Sequence, residues 1–467
     1  MIRFTEENGA LIARSRNETI RIEGWGNNAL RVRTTLLKKL PRDAHALTEN
    51  VAHSAKVTID EGSETAEIVN GKIKATVNGV GIICFYKDNE LILQEYYSYY
   101  YGSVRKEAIC YKIRSREYKG LASDDFKITV RFESDPKEKL FGMGQYQMPI
   151  LDLKGSVLPL EQRNSQVSVP FVVSNKGYGM LWNNPSTGEA AFGTNITKWI
   201  SDESDMVDYW ITADDTPAQI VTNYTECVGR APVMSKDYLG LWQCKLRYRT
   251  PDEVLEVARK YKELRIRLDV IVIDFFHWPH QGDWRFDEKY WSRDAVKAMT
   301  DELHAMGTKV MVSVWPSVDK RSENYYEMEQ KALISTTDVG SVQTYDYEGD
   351  CGTVDFFNPE AQEFVWSKCK QNYRDWGIDL FWLDNSEPDS TKYDFENYRY
   401  YTGRGSKVGC EYPKKYVEAF YNGQEAEGDH EAVNLCRSAW VGSQKYRTLV
   451  WTCLLYTSPS PRDSTSS

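Results

Sequence analysis

Two aspartates that directly follow short apolar runs are the first candidates for chemistry in this chain. Asp274 comes after Val270–Ile273, and Asp384 comes after the run at 381–383. If these runs are strands of a parallel sheet, the side chains at their carboxyl ends lie where α/β proteins bind ligands. Carboxylates placed there can act as nucleophiles or as general acids and bases. An Asp can instead cap the next helix, so spacing alone leaves function and structure equally open.

Three further residues close other apolar runs in the second half of the chain. They are Gln243, Trp315 and Arg437. The chain also holds 14 Trp and 30 Tyr, side chains that combine an apolar face with a polar tip and suit surfaces that stack on sugar rings. Large aromatics also fill large cores. The aromatic content alone therefore does not separate a sugar pocket from a core.

The elements that would position these residues alternate between apolar runs and helices from about Ser235 onward. The predicted strands are the runs at 238–243, 270–276, 309–316, 380–384, 433–439 and 448–452. Each predicted helix start has its own capping residue. The starts are Thr250, followed by Pro251 and by Glu253 as the acid of a capping box, then Ser292, and then Asn358, followed by Pro359. Strands that alternate with helices indicate a parallel sheet.

Glycine spacing helps to choose between a doubly wound sheet and a barrel. The G-x-G candidates at 142–144 and 403–405 lack a third glycine, and neither links a predicted strand to a capped helix. The fingerprint of a dinucleotide-binding fold is therefore missing. We expect a (β/α) barrel, in which chemistry lies where strands end and loops begin.

The first half of the chain has a period of two residues. Apolar residues alternate with polar ones at 73–77 and 126–132, and with arginine at 30–34, while Asn70-Gly71 is typical of a hairpin turn. Turn residues recur at short intervals, and no helical pattern of useful length interrupts them. This half is predicted to be an antiparallel β-sandwich. The predicted domains are therefore a β-sandwich over 1–234 and a barrel over 235–452.

Composition excludes several classes of protein. The formal net charge is −10 and no basic run stands out, which argues against a nucleic-acid partner. No apolar run reaches the ~18 residues that span a bilayer, and the amino terminus has no apolar core typical of a secretory signal. We therefore expect a cytoplasmic protein without a membrane partner. The 9 cysteines form no C-x-x-C pair, which favours reduced thiols over a disulfide framework or a zinc site.

Several segments, taken in order, resemble glycoside hydrolase family 31. These are retaining α-glycosidases built from an amino-terminal β-sandwich followed by a (β/α)8 barrel. The segments are Phe141–Gly144 (FGMG), Pro170–Ser174 (PFVVS), Gly177–Gly179 (GYG), Leu241–Tyr248 (LWQCKLRY), Ile273–Trp278 (IDFFHW), Ser313–Pro316 (SVWP), Phe381–Pro388 (FWLDNSEP) and Cys436–Ala439 (CRSA). An ordered set of matches in the expected architecture is more specific than any single motif.

The resemblance implies a role for each candidate residue. Asp384 would be the catalytic nucleophile that forms a covalent glycosyl ester, and Asp274 would hydrogen-bond the hydroxyls of the bound sugar. The remaining substrate-binding residues implied are Trp315 and Trp382 as walls of the pocket, Arg437 beside the sugar, and Glu387 as a support of that network. An ionised carboxylate below the anomeric carbon suits an oxocarbenium-like transition state, and an adjacent arginine favours ionisation.

A retaining glycosidase needs a second carboxyl group, roughly 5–5.5 Å from the first, to protonate the leaving oxygen. In the family, the stretch that resembles 437–452 continues into Gly-Asp, whose Asp is the acid/base, whereas this chain has Cys453 and Leu454. Residues 455–467 are dominated by Ser, Thr and Pro, a composition that cannot bury a core. We therefore expect a truncated fragment with an incomplete (β/α)8 TIM barrel, a non-native tail over 453–467, aggregation and negligible hydrolase activity.

Two other classes of function remain open from the residues themselves. A metal-dependent barrel hydrolase would use His277 and His280, although no third ligand has a telling spacing and Pro279 lies between them. A non-catalytic glycan-binding protein would keep the aromatic pocket without turnover.

Within the enzymatic reading, Glu387-Pro388 and the segment at 273–278 resemble the α-xylosidase branch. α-Glucosidases, whose equivalent segment usually reads W-x-D-M-N-E, are the alternative. The expected partner is an α-linked oligosaccharide or glycoside, with no cofactor and no metal. A homo-oligomer of the full-length parent stays open.

Overall fold

A computed structural model of the chain describes residues 2–49, 51–62, 64–96, 114–121, 124–164, 166–387 and 397–451. The chain divides into two compact units, Met1–Glu161 with Ser168–Arg230, and Gln162–Val167 with Ala231–Ser467. The division after Arg230 falls close to the expected boundary at 234, and the short segment at 162–167 groups with the second unit. The expected non-native tail lies outside the described residues. No helix in the described ranges is long and apolar enough to cross a membrane.

The first unit consists mainly of antiparallel strands in three sheets. The order is β1-β2-β3-β4-β18-β15-β14-β12 in the first sheet, β5-β6-β7-β8-β9 in the second and β10-β11-β17-β16-β13 in the third. The strands are β1 (Arg3–Glu7), β2 (Ala10–Arg14), β3 (Thr19–Gly24), β4 (Ala29–Thr35), β5 (Lys56–Asp60), β6 (Thr65–Asn70), β7 (Ile73–Val77), β8 (Ile83–Lys87), β9 (Glu90–Gln94), β10 (Arg116–Gly120), β11 (Phe126–Glu133), β12 (Leu140–Gln145), β13 (Val157–Leu160), β14 (Val167–Ser174), β15 (Tyr178–Trp182), β16 (Gly188–Phe192), β17 (Ile196–Ser204) and β18 (Val207–Ala213).

One apolar core joins the three sheets. It includes Leu30 from the first sheet, Ile73 and Phe85 from the second, and Ile128 and Trp199 from the third, all of them buried. Side chains of a strand alternate between its two faces, so each sheet turns one apolar face toward this core. The result is the sandwich-like β-domain that the two-residue period predicted.

The hairpin predicted at Asn70-Gly71 is present, but its turn lies one residue later. Asn70 pairs with Ile73 across β6 and β7, which leaves Gly71 and Lys72 as the loop. Gly71 has a φ of +60°, a left-handed conformation that glycine adopts without steric cost.

Two features of the first unit differ from the sequence prediction. The arginines of β4 do not point to solvent: Arg31 is buried and binds Asp208 of β18 through two nitrogens, at 3.0 and 2.6 Å. The unit also contains a helix, α1 (Pro217–Val228), whose Tyr224 ring stacks on Phe171 with a centroid distance of 4.0 Å. Thr216 and Gln219 form its capping box, the same local signal that predicted the later helices.

The second unit is built on six parallel strands in the order β19-β20-β21-β25-β28-β29. These strands are β19 (Trp242–Lys245), β20 (Val270–Ile273), β21 (Lys309–Val314), β25 (Leu380–Leu383), β28 (Asn434–Cys436) and β29 (Thr448–Val450). The short strands are β22 (Ser317–Asp319), β23 (Thr344–Asp346), β24 (Asp350–Thr353), β26 (Arg399–Tyr400) and β27 (Gly403–Arg404). The helices are α2 (Pro251–Glu263), α3 (Arg293–Ala305), α4 (Tyr325–Gln330), α5 (Pro359–Asn372), α6 (Gly405–Val408) and α7 (Tyr412–Ala426).

The spatial order of these strands follows the order of the sequence. A doubly wound sheet reverses direction at a switch point, whereas in a barrel each strand lies beside the one before it. The sheet therefore has barrel topology, with α-helices between successive strands from β19 to β28. Within the described residues it is open, with β19 at one edge and β29 at the other. This half-barrel fits the expected incomplete (β/α)8 fold.

The two faces of the parallel sheet have different neighbours. Ile271, Ile273 and Phe381 belong to a cluster that includes the helix residues Val296 and Phe420. The residues between them face the other way. They form a second cluster that contains Val270, Val272, Met311, Leu380 and Trp382. This second face is the one that lines the interior of a barrel.

Local capping signals position the helices that cover the outer face. The Thr250 side chain accepts a hydrogen bond from the Glu253 amide, as predicted for the start of α2. The predicted capping box is not complete, because the Glu253 carboxylate accepts from the Arg249 amide at 2.9 Å. Ser292 and Asn358 cap α3 and α5 in the expected way, each accepting a backbone N–H of the first turn.

Candidate active site

The register of the strands gathers the predicted residues on the inner face. Asp274 continues the set Val270 and Val272, and Asp384 continues the set Leu380 and Trp382. Trp315 and Arg437 stand in the same register relative to Met311 and Leu435. Because successive side chains of a strand alternate, these four residues share the inner face at the carboxyl ends of their strands. That is where barrel enzymes place their chemistry.

Asp384 lies in a buried network of charged groups. It is 5% exposed, and its Oδ1 lies 3.4 Å from Nη1 of Arg437. Arg437 also donates to Glu387, from Nε to both carboxylate oxygens at 2.9 Å and from Nη2 at 2.8 Å. Glu387 has no exposed surface. Glu387 is therefore closed to solvent and contacts this network through Arg437.

Asn385 connects this network to the β22–β24 sheet. Its Oδ1 accepts from Nη2 of Arg437 at 3.0 Å, and its Nδ2 donates to the hydroxyl of Tyr345 at 3.0 Å. The backbone of Asn385 has a φ of +51°. Among non-glycine residues, Asn is one of the few that tolerate this left-handed conformation. The turn directs the chain away from β25 immediately after Asp384.

Asp274 is the second carboxylate of the inner face. Burial raises the pKa of Asp274 to about 6, the negative charge of Asp384 adds to this rise, and the hydrogen bond from the Phe275 amide opposes it. That hydrogen bond is 2.8 Å long. The Cys244 thiol lies 3.9 Å from Oδ2 of Asp274. With its pKa raised to about 6, Asp274 is partly protonated near pH 6.

Aromatic residues lie next to both aspartates in the fold, since Phe275 follows Asp274 and Trp382 precedes Asp384 on the inner face. The Trp315 ring lies 5.1 Å from Phe275 and 5.4 Å from Tyr347, measured between centroids. Trp382 packs edge to face against Trp451 at 5.1 Å. Tyr347 stands at the tip of the β23–β24 hairpin and is 45% exposed, so one face of this aromatic wall is open to a ligand.

Several residues of this pocket were not found from the sequence. The strand β19 (Trp242–Lys245) extends beyond the predicted run at 238–243, so Gln243 does not close the strand but lies between the inward Trp242 and Cys244 and faces outward. Its Oε1 accepts from the Tyr261 hydroxyl of α2 at 2.8 Å, while Cys244 faces Asp274. Tyr347 carried no periodic signal because it lies on a short hairpin between helices. The alternation rule would have identified Cys244 if the strand start had been known.

The two histidines considered as metal ligands have separate surroundings. Both ring nitrogens of His277 are engaged, Nδ1 with the Asp274 carbonyl at 2.9 Å and Nε2 with the Tyr373 hydroxyl at 2.8 Å. The backbone amide of His280 donates to Asp283 at 3.0 Å. Within the part of the chain that the structure describes, no group of three or more His, Cys, Asp or Glu residues is arranged to hold a metal ion.

Two inward carboxylates, an arginine beside Asp384 and aromatic side chains at the carboxyl ends of barrel strands fit a pocket that binds and cleaves carbohydrate, and comparison with known proteins agrees. Residues 231–457 match the glycosyl hydrolases family 31 TIM-barrel domain, and residues 19–190 match the glycosyl hydrolase 31 N-terminal galactose mutarotase-like domain. The chain belongs to glycoside hydrolase family 31, a family of glycosidases.

Curated relatives cover nearly the whole chain. An uncharacterized family 31 glucosidase, ORF2 of Pseudescherichia vulneris, is 45% identical over 97% of this chain and 86% of its own length. Alpha-xylosidase A of Aspergillus niger is 30% identical over 93% of this chain and 64% of its own length.

A solved structure shows the same fold. The crystal structure of a family 31 alpha-xylosidase from a soil metagenome, complexed with xylose, superposes with a TM-score of 0.92. It is 45% identical, and the match covers 98% of this chain and 68% of that chain. The similarity therefore extends over both units of the present chain.

Proposed function

We propose that this chain carries the substrate pocket and nucleophile of a retaining α-glycosidase that acts on α-xylosides. The observation that carries the proposal is the position of Asp384, buried at the inner end of β25 and 3.4 Å from the Arg437 guanidinium. A nearby positive charge favours the ionised carboxylate, which is the form that can attack. In this proposal Asp384 is the catalytic residue.

The reaction follows from the chemistry of a glycoside bound over Asp384. A carboxylate oxygen of Asp384 bonds to the anomeric carbon as the glycosidic C–O bond breaks, and the bonding pair leaves with the departing oxygen. The charge that develops on the sugar is positive, so the buried carboxylates stabilise it. Asp274 accepts hydrogen bonds from sugar hydroxyls, and Trp315 and Trp382 enclose the ring.

The departing oxygen of an ordinary glycoside must also receive a proton. Positions 453 and 454, where the family pattern has Gly-Asp, are Cys453 and Leu454 in this chain. We propose that the chain as given therefore cleaves alkyl and sugar glycosides very slowly. The anomeric fluoride of a glycosyl fluoride departs without protonation, because fluoride is a weakly basic leaving group. The first chemical step with such a substrate depends on Asp384 alone.

The preference for xylosides rests on two observations. The segment after the nucleophile reads Asn385-Ser386-Glu387, unlike the Met-Asn-Glu typical of α-glucosidases. Proteins described as α-xylosidases are 45% and 30% identical to the chain. An α-glucosidase is the second candidate, because one relative with 45% identity is described as a family 31 glucosidase. The two substrates differ by a hydroxymethyl group, which a tight pocket excludes.

The test is covalent labelling of the chain with 5-fluoro-α-D-xylosyl fluoride. Intact mass spectrometry should show one added 5-fluoroxylosyl group with loss of the anomeric fluoride, and peptide mapping should place it on Asp384. The Asp384→Asn variant is the control and should stay unlabelled. The corresponding glucosyl fluoride should label more slowly. Faster glucosyl labelling would assign the α-glucosidase activity, and a chain that is labelled by neither reagent would overturn the covalent mechanism.

A further inference from the structure

His277 lies directly behind Asp274 and is almost completely buried. It is 2% exposed, and its ring packs against Trp278 at 4.8 Å and Phe286 at 5.0 Å between centroids. Its Nδ1 is 2.9 Å from the backbone oxygen of Asp274, and its Nε2 is 2.8 Å from the hydroxyl of Tyr373. The proposed reaction assigns this ring no chemical step.

The partners of the ring define its protonation state. A backbone carbonyl accepts hydrogen bonds and cannot donate, so Nδ1 must carry the proton that points to Asp274. Burial lowers the pKa of His277 to about 4, so the ring is neutral near pH 7 and has a single N–H. Nε2 is then an acceptor, and the Tyr373 hydroxyl donates to it. The hydrogen bonds thus run in one direction, from the Tyr373 hydroxyl to the His277 ring and from the ring to the Asp274 carbonyl.

The other end of this chain of hydrogen bonds is fixed to a helix. Tyr373 follows the last residue of α5, and its own amide donates to the Cys369 carbonyl at 2.9 Å. Its carbonyl accepts from the Ile378 amide at 3.1 Å, just before β25 begins. His277 therefore links the backbone at Asp274 to the connection that leads into the strand of Asp384.

We propose that His277 is a positioning residue, which fixes the backbone of Asp274 so that the Asp274 carboxylate meets the hydroxyls of a bound sugar. The inference rests on the proposed function, because it takes Asp274 as a sugar-binding group. A purely structural histidine would support folding without affecting ligand affinity. A positioning residue should change the affinity for the sugar and leave the chemical step largely intact.

Two substitutions separate the hydrogen bonds of the ring. His277→Phe removes both of them and fits the aromatic surroundings. His277→Asn keeps a donor close to the position of Nδ1 and loses the contact with Tyr373. His304→Gln is the matched control, because His304 also binds an aspartate, Asp379 at 2.9 Å, but Asp379 lies before the start of β25, whereas Asp274 lies at the carboxyl end of β20.

The experiment measures KI and kinact for labelling by 5-fluoro-α-D-xylosyl fluoride, with thermal melting to verify folding. His277→Phe should raise KI about tenfold and leave kinact within about twofold, the size expected for the loss of one or two hydrogen bonds. His277→Asn should recover most of the affinity, and His304→Gln should leave KI unchanged. A folded His277→Phe variant with the KI of the unmodified chain would overturn the proposal, as would a His277→Asn variant no better than His277→Phe.

A second readout separates this inference from the proposed function. Titration of tryptophan fluorescence with D-xylose reports binding without any chemical step. If the unmodified chain binds xylose but is not labelled, the covalent mechanism has failed, and the ratio of xylose affinities still tests His277. If His277→Phe does not fold, Tyr373→Phe replaces it, because that change leaves Nε2 without its donor and should weaken xylose binding severalfold. An unchanged xylose affinity in the folded variants would contradict the role of His277.

Discussion

Arg437 and Glu387 form a buried ion pair in which the Nε atom lies 2.9 Å from both carboxylate oxygens. The same guanidinium reaches Asp384 with its remaining nitrogen, at 3.4 Å. One arginine thus serves two carboxylates, of which Glu387 is fully enclosed. Burial raises the pKa of Glu387, and the charge and hydrogen bonds of Arg437 oppose that rise. The pair fixes the direction in which Arg437 presents its charge to Asp384.

Replacement of Glu387 by Gln should destabilise the second unit by about 3–5 kcal/mol, because it removes the carboxylate that lies nearest to a buried guanidinium. Labelling of Asp384 should also slow, since Arg437 loses its fixed orientation. Urea unfolding followed by tryptophan fluorescence measures the first effect and intact mass spectrometry the second. Glu302→Gln is the control, because the Arg259–Glu302 pair is exposed and its loss should change little. Equal stability of the two variants would contradict the role given to Glu387.

Asp274 should make stability fall as pH rises. Burial raises the pKa of Asp274 to about 6, above its ordinary value of 3.8, so the folded state holds the proton more tightly than the unfolded state. The contribution of this group is fully present below pH 4 and is lost as pH rises through 6, by roughly 3 kcal/mol. The difference in unfolding free energy between the unmodified chain and Asp274→Asn, measured from pH 4 to 8, should show this slope. If this difference is constant with pH, the pKa of Asp274 is not raised in the folded state.

His277 should make stability fall as pH falls, which is the opposite of the effect of Asp274. Burial lowers the pKa of His277 to about 4 from its ordinary value of 6.5, so the unfolded state binds the proton more tightly. Its contribution is complete above pH 6.5 and is lost as pH falls toward 4, again by roughly 3 kcal/mol. The His277→Phe variant should lack this acid-side loss. If the unmodified chain and the His277→Phe variant lose stability equally from pH 6.5 to 4, burial does not lower the pKa of His277.

The left-handed backbone of Asn385 gives a prediction that separates strain from contacts. Asn385→Ala and Asn385→Gly both lose the hydrogen bonds to Arg437 and Tyr345, so both should slow labelling of Asp384. The Ala variant should be less stable by about 1 kcal/mol, because its backbone has a φ of +51° at this position, where only glycine is unstrained. Asn8, with a φ of +53° in the first unit, is the control. Its Ala and Gly variants should differ in stability and not in labelling.

Local patterns in the sequence were sufficient for most of the elements that position the site. Each predicted parallel strand is present, because a strand covered on both faces leaves a continuous apolar run. The helix starts at Thr250, Ser292 and Asn358 are present because caps are local hydrogen bonds. The inward set of Asp274, Trp315, Asp384 and Arg437 follows from the ends of these runs.

Features that depend on distant partners or on exact register could not be predicted. Burial of Arg31 requires Asp208, which lies 177 residues away. The orientation of Gln243 and Cys244 depends on where β19 begins, and a shift of one residue exchanges the faces. The link from His277 to Tyr373 spans 96 residues and has no local signature. These contacts become visible only when the strands are assembled.

The open sheet of the second unit gives a prediction about self-association. Within the described residues, β19 and β29 each have one paired side, and Leu246 beside β19 is 66% exposed. Unpaired strand edges next to exposed apolar side chains favour edge-to-edge association, and a charged side chain at the edge opposes it. Leu246→Lys should therefore lower the concentration-dependent mass measured by light scattering after size-exclusion chromatography. Leu264→Lys is the control, because Leu264 is 57% exposed at the end of α2, away from the sheet edge. An unmodified chain that stays monomeric, or a Leu264→Lys variant that is equally effective, would mean that the open edge does not drive association.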